Sequence, residues 1–269
     1  MSHFKYNLLS LDPMYSPLHE KIAKLVAHKK YAVTSCLAKK VYLPSFNLTL
    51  ATSLIKKGRS NLLDESLKQR VAQLPNYHQS YVKKIEGREL CASEIENMCF
   101  FYLGLKDYIR NNEINLVLIH NDTRWYHAIA LEICRELGIK YLVTEQGLIR
   151  PYTTVIDNKG VNALANVNFD PQASYLAQQE EVFTPKSRHD SYHSILVFFL
   201  FLSIFTIERA LKRRTVLPYL HNNYSLRKYT LRVVNKLKKK PHTPAHSIKG
   251  PFLLLLLQLE QDSQVLLYS

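Results

Sequence analysis

A continuous apolar run at residues 115–120, with the sequence NLVLIH, constrains the fold of this chain more than any other feature. Such a run is typical of a strand buried on both faces of a parallel sheet. A helical pattern follows as far as Leu137, Gly138 is a natural helix stop, and residues 139–144 have the composition of a second strand. A strand–helix–strand crossover of this kind predicts an α/β fold, with a Rossmann-like parallel sheet and helices on both faces.

The residues before this unit predict further elements of the same class. Residues 6–9 form a short apolar strand, residues 18–26 have helical spacing after Ser16-Pro17, and residues 31–37 are a candidate strand. Residues 46–112 are mainly helical and rich in lysine, with a clear apolar stripe from Ile95 to Ile109. We therefore expect residues 1–190 to form an N-terminal Rossmann-like lobe.

The apolar segment 194–205 admits three interpretations. It has about half the length that a membrane-spanning helix needs. A buried helix is the favoured interpretation, a helix lying in the membrane interface is the second, and a true span is the third. Together with a predicted basic helix near residues 225–237, it makes residues 191–250 an apolar helix followed by a basic helical linker.

The last residues look like the beginning of another lobe. Residues 252–257 read as a core strand, residues 258–263 as the polar turn at its carboxyl end, and residues 265–268 as the start of a further apolar element. A crossover needs a helix and another strand after this point. We therefore expect residues 251–269 to be the start of a truncated C-terminal lobe.

Positive charge is concentrated in one region. The formal net charge is +14, and residues 206–249 carry 12 of the 36 Lys and Arg residues against a single acid, Glu208. Such a region suits anionic lipid, nucleic acid or a phosphorylated substrate, although a merely solvated basic surface is the alternative. No recognised RNA-binding signature accompanies it, so nucleic acid is not expected as a partner.

Several common site types have no signature here. The sequence has neither a GxGxxG nor a GxxxxGK[ST] loop, no GxSxG elbow, and no recognised histidine metal motif, so no metal or tightly held cofactor is expected. The four cysteines lack paired spacing and are interpreted as buried thiols in a reducing compartment. The first residues lack the apolar core of a secretory signal, which predicts a cytoplasmic location.

Polar side chains cluster at three predicted strand ends, where α/β sheets bind ligands. Carboxylates beside arginine suit transfer chemistry on a phosphate-activated substrate, since arginine pairs with phosphate and carboxylates handle protons or developing cations. The alternative is structural: Asp122 as a helix cap, Arg150 in a salt-bridged loop and Asp262 in a turn. The candidate residues are Asn121, Asp122, Arg124, Glu145, Gln146, Arg150, Gln258, Asp262 and Ser263.

Four segments together resemble the capsule polysaccharide biosynthesis family of the KpsS/KpsC type. They are NDTRWYHAIA at 121–130, EQGLIRP at 145–151, GVN at 160–162 and QLEQDSQ at 258–264. The resemblance is best over residues 114–165 and resumes at 217–229 and 252–268. It implies a two-lobed GT-B-like glycosyltransferase, here with its second lobe incomplete.

The resemblance also implies a reaction and roles for residues. Family members include retaining Kdo transferases, which move Kdo from the nucleotide sugar CMP-Kdo to a lipid-linked acceptor at the cytoplasmic face of the inner membrane. Carried over by motif, Asp262 is expected as nucleophile or cation stabiliser and Glu145 as acid/base or acceptor-orienting group, as in two-carboxylate glycoside chemistry. The other candidates would bind donor or acceptor, with Arg124 and Arg150 on the phosphate or sugar carboxylate. A non-catalytic capsule assembly or export factor is the alternative function.

Overall fold

A single six-stranded sheet organises the chain, as seen in a computed structural model that describes residues 5–13, 16–147, 153–161, 164–165, 189–211, 225–238 and 263–268. The spatial order of the strands is β3-β2-β1-β4-β5-β6, with β1 to β5 parallel and β6 antiparallel to β5. The strands are β1 (Tyr6–Leu11), β2 (Ala27–Thr34), β3 (Asn47–Leu50), β4 (Leu116–His120), β5 (Lys140–Gln146) and β6 (Thr154–Asp157). The predicted α/β class and parallel sheet are confirmed.

Nine α-helices and one short 3₁₀ helix are formed by the described residues. Residues 46–112 are mainly helical, as predicted, although β3 lies within them. The helices are α1 (Leu18–Val26), α2 (Ala51–Gly58), α3 (Glu65–Gln73), α4 (Tyr77–Lys84), α5 (Ala92–Asn111), α6 (Trp125–Leu137), α7 (His189–Ala210), α8 (Leu226–Lys238) and α9 (Ser263–Tyr268), with the 3₁₀ helix at Leu37–Val41.

Helices cover both faces of the sheet because successive strand residues point to opposite sides. Along β4, Val117 and Ile119 join a core cluster that includes residues of α2, α5 and α6, whereas Leu116 and Leu118 pack on the other side with Ala23 of α1. All five residues of β4 are buried, as its continuous apolar sequence predicts. β4 is therefore an interior strand of the sheet, between β1 and β5, as its apolar sequence predicts.

The helix of the crossover from β4 to β5 ends where the sequence predicts, at Gly138. Gly138 follows α6 with φ of 64°, and its N–H donates to the carbonyl of Arg135. This left-handed conformation carries no steric penalty for glycine, which explains why the helix stops there.

Two predicted strands have the wrong limits. Residues 31–37 were expected to form a strand, but β2 begins at Ala27, which pairs with Tyr6, and ends at Thr34, before the 3₁₀ helix. The polar residues at 28–30 obscure the strand in the sequence, although Lys29 and Lys30 pair with Asn7 and Leu8 of β1. β5 extends past Thr144 to Gln146 because residues 143–146 also pair with β6.

The apolar segment 194–205 lies inside the longer helix α7. One face of α7 is buried through Phe201, Leu202 and Phe205, so the buried-helix interpretation holds for that face alone. Within the described ranges, no helix has the length and apolar character needed to cross a membrane. The basic helix expected near residues 225–237 is present as α8.

Candidate active site

The candidate site lies at the carboxyl ends of β1 and β4, on either side of the point where the strand order reverses. The chain proceeds from β1 to β2 on one side, whereas β4 pairs with β1 on the other. Doubly wound sheets bind ligands outside the strand ends at such a point. Asp12 follows β1 with φ of 35° and Asn121 follows β4 with φ of 64°. Both strands thus end in residues that tolerate left-handed backbone.

Asn121 connects the ends of β4 and β5. Its side-chain amide donates to Oε2 of Glu145 at 2.7 Å, and its Oδ1 accepts the backbone N–H of Thr123 at 2.8 Å. Its own backbone N–H donates to the carbonyl of Thr144. Two of the residues singled out in the sequence, Asn121 and Glu145, are therefore in direct contact.

Asp122 is buried, and its two carboxyl oxygens have different surroundings. Oδ2 accepts the backbone N–H of Val161 at 2.8 Å, whereas Oδ1 is buried without a hydrogen-bond partner in the described structure. Burial raises the pKa of Asp122 above its ordinary value. The side chain does not cap α6, because Arg124 occupies the N-cap position. The helix-cap role considered for Asp122 is therefore wrong, and its functional role stays a prediction.

Gly160 allows the 160–161 segment to approach this carboxylate. A Cβ at position 160 would lie 2.9 Å from Oδ2 of Asp122 and 2.5 Å from Cβ of Leu164. Any larger residue would force these groups apart. The close approach brings the first two residues of the GVN segment into contact with Asp122 of the NDTRW segment.

Arg124 lies mostly inside the protein. Its Nη1 donates to the hydroxyl of Tyr126 at 3.0 Å and lies 4.0 Å from Oδ2 of Asp12. The guanidinium is thus positioned by protein groups at the strand ends, where it was expected to hold a phosphate or sugar carboxylate. That binding role stays a prediction.

A buried ion pair beneath the site was not recognised in the sequence. Nζ of Lys39 lies 3.1 Å from Oδ1 of Asp12, and both side chains are almost fully buried. The hydroxyls of Ser35 and Tyr126 donate to Oδ2 of Asp12 at 3.0 and 2.9 Å. Burial alone would raise the pKa of Asp12, but the charges of Lys39 and Arg124 outweigh it and hold that pKa far below its usual range.

Three uncharged histidines pack around the same strand ends. Burial, chiefly, lowers the pKa of His19 and of His120 to about 3. Nε2 of His19 and Nδ1 of His120 lie 3.3 and 3.2 Å from Oγ1 of Thr144. The same hydroxyl lies 3.3 Å from the carbonyl of Ile119, so two histidines and one carbonyl surround it. Nδ1 of His127 donates to the carbonyl of Asn121, which leaves Nε2 unprotonated in the neutral ring.

The segment TEQGLIRPY, residues 144–152, begins within a strand. Glu145 and Gln146 belong to β5 and pair with Val155 and Thr154 of β6. The backbone N–H of Gln146 donates to Oε1 of Glu145 at 2.8 Å. Arg150 lies outside the described residues, as do Gln258 and Asp262.

The C-terminal end of α9 lies within electrostatic range of Asp122. Ser263 begins α9, which packs against α4, and Leu266 of α9 is buried. Burial and then the charge of Asp122 raise the pKa of Tyr268. The backbone N–H of Tyr77, the first residue of α4, donates to the carbonyl of Thr123. α4 thus connects α9 to the turn after β4.

A family model described as "Capsule polysaccharide biosynthesis protein" matches residues 115–269, which is more than half of the chain. The chain belongs to this family. The range that matches the capsule polysaccharide biosynthesis family includes β4, α6 and β5. Asp12, His19 and Lys39, which also lie at the candidate site, come before that range. The resemblance seen in the sequence is confirmed.

Two relatives are similar over a shorter stretch. They are the capsule polysaccharide modification protein LipB of Neisseria meningitidis serogroup A / serotype 4A and its counterpart in serogroup B. Each is 37% identical over 81 residues, which is 28% of this chain and 19% of the relative. The alignment therefore spans about a fifth of each relative. No solved structure matches the chain.

Among the residues that the structure describes, no group of three or more His, Cys, Asp or Glu side chains could hold a metal ion. Three cysteines are buried free thiols, but Cys91 is exposed at the start of α5. The expectation that all four are buried was wrong for Cys91, because it lies at the exposed N-terminal end of α5.

Proposed function

We propose that this capsule polysaccharide biosynthesis protein is a retaining glycosyltransferase that moves Kdo from CMP-Kdo to a lipid-linked acceptor. The observation that carries the proposal is the convergence of Asp122 and Glu145 at neighbouring strand ends, joined through Asn121. Two carboxylates at neighbouring strand ends can divide the work of glycosyl transfer between proton handling and stabilisation of a cationic centre. Family membership supports the same general process.

In the proposed reaction, a carboxylate displaces CMP from the anomeric carbon, and the bond to the phosphate oxygen breaks with its electron pair. The acceptor hydroxyl then attacks the same carbon, loses its proton to a base, and releases the carboxylate. Asp262 is the proposed nucleophile from the resemblance. Glu145 is the proposed base or acceptor-orienting group, because its carboxylate is held by the Asn121 amide and the Gln146 N–H.

Asp122 is a second proposed proton carrier at this site. A buried carboxyl group with a raised pKa can hold a proton near neutral pH more readily than an exposed one. One of its oxygens already accepts from Val161, which fixes the orientation of the group. Asp122 would thus exchange its proton with the acceptor or the leaving phosphate.

Charge at the strand ends supports an anionic donor. Lys39 and Arg124 contribute two positive charges near the single negative charge of Asp12, while burial keeps the neighbouring histidines neutral. Around Asp12 this leaves one uncompensated positive charge, which supports a phosphate or sugar carboxylate next to Arg124, while the carboxyl groups of Asp122 and Glu145 lie at the neighbouring strand ends. Arg150, Gln146, Gln258 and Ser263 are further proposed donor or acceptor contacts. We place the protein peripherally at the inner membrane, where a lipid-linked acceptor is located.

The test is transfer of radiolabelled Kdo from CMP-Kdo to a lipid acceptor by the full chain and by Asp262→Ala and Glu145→Gln. Loss of transfer in both variants supports the site. Full transfer in both would remove it, while leaving the activity intact. If the wild-type chain is folded but neither transfers Kdo nor binds CMP-Kdo in calorimetry, the non-catalytic assembly or export function replaces this proposal.

A further inference from the structure

His127 is a fully buried histidine in the first turn of α6, and its ring is hydrogen-bonded to the turn after β4. Nδ1 lies 2.7 Å from the backbone carbonyl of Asn121, six residues earlier in the chain. Because a carbonyl can only accept, Nδ1 carries the proton and donates it. Burial, chiefly, lowers the pKa of His127 well below its ordinary value, so the ring is neutral. The ring is therefore held in one tautomer by its contact with Asn121.

The opposite side of the ring of His127 does not explain why a histidine is buried here. Nε2 is buried without a hydrogen-bond partner among the residues that the structure describes. A buried acceptor that lacks a donor destabilises a fold, and an apolar side chain would pack against the ring of Tyr126 without that cost. The polar contact that accounts for His127 is thus the hydrogen bond from Nδ1.

The carbonyl that accepts from His127 belongs to the peptide unit between Asn121 and Asp122. The N–H of the same unit is the backbone N–H of Asp122, which interacts with the carboxyl group of Asp122 and opposes the rise of its pKa on burial. A peptide unit is planar, so fixing its carbonyl also fixes the direction of its N–H. Hydrogen bonds arranged in series also polarise one another. The donor of His127 therefore acts on the carboxyl group of Asp122 through one peptide unit.

Asn121 carries the same constraint to Glu145. Its backbone N–H donates to the carbonyl of Thr144 while its own carbonyl accepts from His127, so hydrogen bonds hold this residue on both sides. The backbone it holds is left-handed, with φ of 64°, a conformation that costs free energy in a residue with a Cβ. From this backbone the side-chain amide donates to Oε2 of Glu145 at 2.7 Å. The hydrogen bond from His127 thus supports the direction in which the amide points.

We propose that His127 is a positioning residue for both carboxyl groups of the candidate site, acting on Asp122 through the peptide unit and on Glu145 through Asn121. This role requires neither contact with the substrate nor a change in the protonation of His127. The consequence for catalysis rests on the proposed function, because it assumes that Asp122 and Glu145 take part in transfer. The positioning itself does not, since it concerns the orientation of two side chains in the protein without substrate.

The experiment compares two substitutions of His127 that differ in their donors. His127→Leu removes the donor, whereas His127→Asn keeps one, because the amide nitrogen of asparagine is bonded to Cγ as Nδ1 is in histidine. The matched control is Tyr102→Phe at a buried position of α5, which loses hydrogen bonds with Arg70 and with Glu136 near the end of α6. Urea denaturation establishes that each variant is folded.

The first measurement separates the rate of transfer from substrate binding. In His127→Leu we expect kcat for Kdo transfer to fall about tenfold or more, because the carboxyl groups lose their alignment. Calorimetric affinity for CMP-Kdo should change by less than about twofold, since no substrate contact is removed. His127→Asn should keep kcat within about threefold of the wild type, and Tyr102→Phe should be less stable yet transfer at the wild-type rate. A wild-type kcat in His127→Leu, or equal losses in both His127 variants, would overturn the proposal.

A second measurement requires no transfer. The side-chain carboxyl carbon of Asp122, assigned in NMR spectra by its absence from Asp122→Asn, reports the pKa of this group. That pKa should rise further in His127→Leu, where the peptide N–H is no longer held, and should keep its wild-type value in His127→Asn and in the control. The charges of Glu145 and Arg135 and the hydroxyl of Tyr268 also act on this carboxyl group and are the same in every variant.

The two measurements distinguish this proposal from the proposed function. If the wild type transfers no Kdo, the proposed function fails, while the titration of Asp122 still tests the role of His127. An unchanged pKa of Asp122 in a folded His127→Leu would contradict the positioning role even where transfer is lost. Should His127→Leu not fold, His127→Gln replaces it with the same expected results, because its amide nitrogen lies one bond farther along the side chain than Nδ1.

Discussion

The side-chain amide of Asn121 donates to the carboxylate of Glu145 at 2.7 Å and so joins the ends of two neighbouring parallel strands. Asn121 can do this because its backbone is left-handed, with φ of 64°. Asparagine tolerates this conformation better than most residues with a Cβ. One residue therefore supplies both the turn after β4 and the orientation of a proposed catalytic group.

Substitution of Asn121 should separate these two contributions. Asn121→Ala should lower the free energy of unfolding by about 2 kcal/mol, through backbone strain and lost hydrogen bonds. Asn121→Gly removes the strain and should recover about 1 kcal/mol of this loss. Both variants should lose transfer activity at least about tenfold, because Glu145 loses its amide partner. Urea denaturation and the transfer assay measure the two effects; full activity in Asn121→Gly would contradict the orienting role.

Asp122→Asn should leave the protein folded but impair transfer. Asparagine retains an oxygen that accepts from Val161, so we expect a stability change within about 1 kcal/mol. It cannot exchange a proton, so the transfer rate should fall on the order of 10²-fold or more. The control is Asp107→Asn at an exposed position of α5, which should retain the wild-type rate. Wild-type activity in Asp122→Asn would remove Asp122 from proton transfer.

Lys39→Met should strongly destabilise the fold. It would leave the carboxylate of Asp12 buried without its nearest cation, at a cost of about 3–5 kcal/mol. The double variant Asp12→Asn/Lys39→Met removes both charges and should be more stable than Lys39→Met alone. Thermal or urea denaturation of the two variants measures the difference. Equal stabilities would show that Asp12 does not depend on this lysine.

Stability should decrease as the pH falls below about 6.5. The pKa values of His19 and His120 drop from 6.5 to about 3 in the folded protein, so the unfolded chain binds more protons between these limits. Each histidine should contribute a slope of about 1.4 kcal/mol per pH unit in this range. Above pH 6.5 the contribution is fully present, and it is lost as the pH falls toward 3.

The measurement is urea denaturation at a series of pH values. His19→Gln and His120→Gln should each reduce the slope, whereas His28→Gln, at an exposed position of β2, should leave it unchanged. An identical slope in all three variants would assign the acid sensitivity to other groups, such as the buried His127, whose pKa burial also lowers. The depressed pKa of Asp12 gives a further loss only at lower pH, below the ordinary range of carboxyl groups.

The central crossover could be predicted because its signals are local. The apolar run of β4, the helical spacing of α6 and the stop at Gly138 each act over a few residues. The same reasoning placed Asn121, Asp122 and Glu145 at one edge of the sheet. Their specific contacts needed the fold, since Gly160 reaches Asp122 only through the turn that follows β6.

The buried ion pair could not be predicted from local pattern. Lysines are usually exposed, and nothing within residues 37–41 indicates that Lys39 meets Asp12 while its neighbour Lys40 does not. The buried face of α7 could not be predicted either. Nearly every residue at 195–205 is apolar, so the periodicity of apolar residues could not distinguish the packed side of the helix from the exposed side. One residue of α7 did stand out in the sequence: Glu208, the single acid in a basic region, is the residue that binds the 3₁₀ helix.

The hydrogen bonds from Leu37 and Ala38 to Glu208 join residues 171 and 170 positions apart. During synthesis at roughly 5–20 residues per second, the first turn of the 3₁₀ helix therefore exists for about 10–30 seconds before its acceptor leaves the ribosome. Until then these two amides lack the carboxylate that binds them in the native protein. The 3₁₀ helix beside the Asp12–Lys39 pair can therefore acquire these two hydrogen bonds only after the last turn of α7 has been synthesised.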